Sequence, residues 1–220
     1  MKYSIYIAVL LLMGAVRLQG QITESTRSMN MGSQNALILE IPNADDKLVE
    51  KWWKQYMKDY DAKTKRVKGS DEELSDDADI PGIGAGNTVD VYSLTERSGN
   101  GVRQVVWFDL GGAFLSSQMH GDRYVEGEKF MMRFGLYVTK EMIQIELKEE
   151  EKRMKDLESD LKKLQRDNEK LHEDIADYER RIEEAKAGIE QNLLDQKARE
   201  KDIESQQNVI EEVKKKLSEL

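Results

Sequence analysis

The chain contains no cysteine. Disulfides, thiolate metal sites and cysteine nucleophiles are therefore excluded, and its tertiary structure must be held by packing alone. Proline is almost as scarce, with two in 220 residues, so few positions force a helix to stop. Aromatic residues make up only 7% of a chain that is 35% charged and 39% hydrophobic. That balance fits a long helix joined to a modest domain better than one large core. Positive charge is in deficit: the formal net charge is −9, or −11 once residues 1–20, which hold Lys2 and Arg17 and no acid, are set aside. Such a surface repels phosphate backbones and anionic lipid, which argues against nucleic acid as a partner.

Past residue 20 no stretch is apolar enough to cross a bilayer, so no transmembrane segment is expected after signal cleavage. Residues 1–20 themselves combine Lys2, the apolar run Ile5–Met13 and a small Gly20 before polar Gln21. This pattern reads as a secretory signal peptide cut after Gly20, with Ala15 as an earlier site and retention as an anchor the competing reading. The expected destination is export, to the periplasm or cell envelope. Residues 21–33 read as a flexible N-terminal segment.

Residues 34–122 are expected to form a small α+β domain. Ala36–Ile41 is a short apolar run closed by Pro42, as in a buried strand and turn. Asn43 or Asp45 then offers an N-cap, and Val49, Trp53, Tyr56 and Tyr60 recur at helical spacing, predicting a helix packed on a sheet. Trp52 and Met57 fall off that stripe and mark either a partner surface or a second core face. A short strand is optional near Thr64–Val67. Thr88–Thr95 and Val102–Leu110 read as a hairpin around Asn100-Gly101, and the second strand, apolar on both faces, reads as central. These elements predict an antiparallel sheet with helices on one face, ferredoxin-like or related.

Chemistry-bearing motifs are weak. The acids of Asp71–Asp79 do not follow the ligand order of an EF-hand and read as a solvated loop, and the glycines of Ile80–Asn87 lack the strand, helix and Lys of a phosphate cradle. His120 sits in a loop with Ser116 and Ser117 before it, and His172 lies on a charged helix; neither has a visible orienting partner. No catalytic residue, cofactor or metal ligand is assigned, and an enzyme is not expected.

The strongest pattern is terminal. Residues 123–146 form a helix whose Met131, Phe134, Val138, Met142 and Ile145 recur on one face, predicting packing on the domain. Residues 147–220 read as a coiled coil. Leu147, Met154, Leu161, Asn168, Ile175, Ile182, Ile189, Gln196, Ile203, Ile210 and Leu217 hold the a positions without an insertion. Leu157, Leu164, Leu171, Tyr178, Ala185 and Val213 hold d positions, which turn polar at Glu150, Asn192, Arg199 and Gln206. Such a repeat imposes a left-handed supercoil and requires a second helix. Ile at a with Leu at d, and Asn168 at a, predict a parallel homodimer; an antiparallel pair and an intramolecular helical hairpin turning near Gly188 are the alternatives.

The apparent signal peptide, Leu39–Asp46, Val106–Gly112 and the terminal heptads together resemble exported proteins of Gram-negative bacteria whose activity is uncharacterised. The resemblance implies compartment and layout and no catalytic residue. The expected function is therefore a non-enzymatic structural or interaction protein that oligomerises by its coiled coil and displays the small domain, with an envelope protein as a further partner. Two competing expectations are a periplasmic chaperone contacting clients through the Trp52 region or the Gln196 patch, and a ligand-binding or catalytic domain centred on His120, Asp122 and Trp107.

Overall fold

The computed structural model describes residues 22–218; the reading of residues 1–20 as a signal peptide lies outside them. The chain divides into two compact units, Met1–Glu149 and Glu150–Leu220. The first contains six strands, β1 (Ile22–Met29), β2 (Gly32–Ile41), β3 (Lys63–Arg66), β4 (Glu73–Ala78), β5 (Val89–Ser98) and β6 (Gly101–Asp109), with helix α1 (Asp46–Lys58) between β2 and β3. Helix α2 (Gly121–Ser218) contributes its opening turns to this unit.

All strand pairs are antiparallel, in the order β1-β2-β6-β5-β4-β3, so β1 and β3 are the edges. Successive strands from β3 to β6 are neighbours, and β6 returns beside β2. α1 therefore carries the chain across three strands, from β2 to β3. The fold is α+β with both helices on one face, as the sequence predicts, but its meander differs from the interleaved βαβ units of a ferredoxin-like sheet.

α1 begins where the side chain of Asp45 accepts the backbone N–H of Leu48 at 3.1 Å, satisfying one of the donors a helix start leaves free. Val49, Trp53 and Tyr56 are buried on the sheet, with Tyr60 partly buried beside them. α1 is also covered by α2: Trp53 stands edge-on to Phe134 at 4.9 Å between centroids, and Phe130 meets Phe108 of β6 edge-on at 5.5 Å. Edge-to-face pairs set the positive rim of one ring on the negative face of the other, adding to the gain from burial. Trp52 and Met57 are buried in this same core, at 7% and 0% exposed. They offer no free partner surface, because α1 is enclosed on more than one flank.

β6 is central, and its alternation feeds two cores. Val102, Val106 and Phe108 face the helices, while Val105 and Trp107 join Ala36, Ile38, Met29 and Tyr92 in a second cluster on the other face. No helix belongs to that cluster; a strand hairpin covers it. β2 pairs with β6 only from Leu37 to Ile41, whereas β1 pairs with β2 along its whole length. The distal half of the β1–β2 hairpin thus leaves the sheet as a two-stranded arm. Arg27 of β1 reaches Glu96 of β5 at 2.7 Å, and both carboxylate oxygens of Glu72 accept the backbone N–H of Asn30, at 3.0 and 3.1 Å. These bonds bring the arm across two intervening strands. Where β2 departs, the chain after β6 takes its place, with the N–H of Leu115 donating to the carbonyl of Phe108 at 2.9 Å.

Residues 21–33 are not a flexible segment: Ile22–Met29 is an edge strand and Gly32 already begins β2. The acidic stretch Asp71–Asp79 is not a loop, since Glu73–Ala78 is β4, whose one extra residue relative to β5 is accommodated at Asp77 with φ 54°. The tight turn between β5 and β6 is centred on Gly99 and Asn100, and the positive φ, 57°, belongs to Gly99. Gly101 serves a different need: a Cβ there would collide with the carbonyl oxygen of Ile41.

Candidate functional site

The surface that demands an explanation is the apolar seam of α2. In the second unit the a and d residues Met154, Leu157, Leu161, Leu164, Leu171, Ile175, Tyr178, Ile182, Ile189, Ile203, Ile210, Val213 and Leu217 are all exposed, from 44% at Ile210 to 72% at Leu217. Leu147, which opens the repeat in the first unit, is 54% exposed, and Asn168 is exposed among its apolar neighbours. α2 runs unbroken through Gly188, so the chain does not turn back there as a hairpin. At about 1.5 Å per residue, Glu150–Ser218 supplies roughly 100 Å of helix.

The forces within that helix are small. Ion pairs one turn apart, such as Arg180 with Asp177 at 2.5 Å and with Glu184 at 3.0 Å, join exposed partners and contribute about 0.3–0.5 kcal/mol each. Covering a single Leu or Ile contributes about 1.5–3 kcal/mol. The seam therefore dominates the energetics of the unit. Its polar interval is internally bonded, with the amide of Gln196 donating to Asn192 at 2.5 Å and Arg199 reaching Asp202 at 3.3 Å. Leu193 and Leu194, at 51% and 60% exposed, lie beside this interval at the e and f positions, which an a/d reading passes over.

In the first unit α2 has two unlike faces. Phe130, Met131, Phe134 and Val138 are fully buried and Met142 partly so, as their spacing predicts, whereas Ile145 is 37% exposed and lies outside the core. On the opposite side Val125, Met132, Leu136 and Ile143 are 45–59% exposed. Leu136 and Ile143 occupy d positions of the same heptad count that starts at Leu147. Attention to the core-facing stripe hides them in the sequence; extending the heptads backward finds them.

The remaining candidates lie on several elements. Trp107 is buried in the second cluster with its indole N–H unpartnered. His120 lies in the loop before α2, where its Nδ1 accepts the N–H of Ser116 at 3.3 Å. Asp122 is in the first turn of α2, and His172 is exposed on the helix. Carboxylate oxygens of Asp76, Asp77 and Asp90 lie within 4.8 Å of one another beside the β4 bulge. They are engaged locally, Asp90 accepting the N–H of Asp77 and Asp77 accepting the hydroxyl of Thr88, both at 3.1 Å. Partial burial, followed by the repulsion of Asp76, Asp77 and Asp109, raises the pKa of Asp90.

One charge cluster with a buried member, Glu73, links α1 to β4. Lys54 reaches Glu73 at 2.6 Å and Glu50 at 3.1 Å. Burial raises the pKa of Glu73, while the hydrogen bond from Lys54 lowers that of Glu50. The cluster fastens α1 to β4 and faces a shallow acidic recess that includes Asp46, Asp71 and Glu96.

No helix among the described residues is long and apolar enough to cross a membrane. Comparison with protein-family models, with curated proteins and with solved structures found no match for the chain.

Proposed function

We propose that this is an exported, non-enzymatic structural or interaction protein of the periplasm or cell envelope, which homodimerises through the α2 seam and presents the small α+β unit. The observation that carries the proposal is the row of exposed apolar a and d residues from Leu147 to Leu217. A stripe kept in register over so many heptads is costly to leave in water, and a second helix is its natural cover. The N-terminal Lys2, Ile5–Met13 and Gly20 sequence supports export.

Light scattering of the full chain tests the association. The expected mass is about twice the 25.4 kDa of one chain, and the joint substitution Ile175→Asp with Ile182→Asp returns it to the single-chain value. A single-chain mass for the unsubstituted protein at high concentration removes the proposal. The chaperone reading loses its Trp52 surface, since that indole is buried.

A further inference from the structure

Pairing of the seam with its own copy has two orientations, and the charges beside it distinguish them. In an in-register parallel pair, each g residue faces the partner's next e residue. The facing pairs are then Glu146–Glu151, Asp174–Glu179, Arg181–Lys186 and Asp195–Glu200, all of like charge, against Arg153–Glu158 alone of opposite charge. The same arrangement sets Glu150 against a second glutamate and Arg199 against a second arginine inside the seam. Like charges forced together away from water cost far more than exposed pairs return.

We propose that two copies of this chain pair antiparallel, in the register that sets Leu171 opposite the partner's Ile175. The inference rests on the reading that the seam self-associates, and adds its orientation. In this register the Leu-rich first half meets the Ile-rich second half: Leu164 faces the partner's Ile182, Leu161 the partner's Ala185 and Leu157 the partner's Ile189. Of these layers only the one with Ala185 joins a large side chain to a small one; further out, Met154 faces the partner's Asn192 and Leu147 the partner's Arg199. Glu150 faces the partner's Gln196 in place of another glutamate, and Asn168 faces the partner's Tyr178, a phenol able to share its hydrogen bonds.

Flanking charges change sign in favour. Antiparallel helices set g against g and e against e, which joins Arg153 to the partner's Asp195, Asp167 to the partner's Arg181 and Glu158 to the partner's Lys186. Twofold symmetry makes each of these twice. Opposed to them are Glu146 with the partner's Asp202 and Asp174 with its own counterpart.

Because the chain has no cysteine, introduced thiols report pairing without background. Full-length Leu161→Cys and Ala185→Cys chains are oxidised separately and as a refolded mixture, with circular dichroism to verify helicity and sedimentation to give the mass. The expected result is about tenfold more covalent dimer in the mixture than in either chain alone, since a disulfide requires its two Cα atoms within a few ångströms. Covalent dimer from Leu161→Cys alone establishes the parallel pair and overturns the inference. A dimeric mass with no mixed disulfide overturns this register while leaving the proposed self-association intact; a single-chain mass overturns both.

Discussion

Glu73 starts β4 with its side chain 7% exposed and Lys54 at 2.6 Å. Burial outweighs that ion pair and raises its pKa above the ordinary value of 4.5, so ionising it opposes folding. The stability it contributes is greatest below pH 4.5 and declines as pH rises through that value toward the folded pKa. Glu50, lowered by Lys54, acts in the opposite sense, contributing above its own unfolded value and losing that contribution as pH falls. Glu73→Gln keeps an acceptor for Lys54 and removes the declining part. Urea unfolding across the acidic range is expected to show the variant gaining on the parent as pH rises past 4.5; parallel curves contradict it. The sequence does not announce this residue, because Glu73 reads as one acid among many until the sheet encloses it. The Asp45 cap and the stripe Val49, Trp53, Tyr56 are legible beforehand, because capping and helical period are local rules. Trp52 and Met57 are not, because their burial depends on how the whole core closes around α1 and not on helical period.

At the scale of elements, the β1–β2 arm is the part that sequence pattern conceals. Ile22–Met29 is rich in Thr and Ser and has little apolar alternation, and it becomes a strand because β2 supplies a ladder along its full length. β4 is hidden in the same way: Glu73 is paired with Lys54 and Asp77 accepts the hydroxyl of Thr88. β6 is the opposite case: two apolar faces require a central strand, and each face has its own core. The arm is held across the second core by Arg27–Glu96 and by Glu72. Arg27→Ala is expected to cost about 1 kcal/mol, the scale of one half-exposed charged hydrogen bond. It should raise acrylamide quenching of Trp107, whose side chain lies in the second core, more than that of Trp52 and Trp53 in the first. Equal increases at all three tryptophans would show that the arm does not act as a cover.

At the scale of the whole molecule, the two units rest on different forces. The first has a buried aromatic core, whereas the described part of the second has no buried residue. Calorimetry of the full chain is therefore expected to resolve two transitions, with the one that removes α2 helicity moving upward as protein concentration rises and the other staying fixed. Two fixed transitions would mean that the helix is stable without a partner. The heptads are the most legible feature of the chain, since a seven-residue period survives without tertiary context. Their backward continuation through Ile143 and Leu136 emerges only once the other face of α2 is seen committed to the core.

The sheet is open, bounded by β1 on one margin and β3 on the other. β3 consists of Lys63, Thr64, Lys65 and Arg66. Any foreign strand seeking to extend the sheet on that side would have to strip water from three cations for four residues of ladder. Crowded side by side, such chains would be kept from zippering together along that margin.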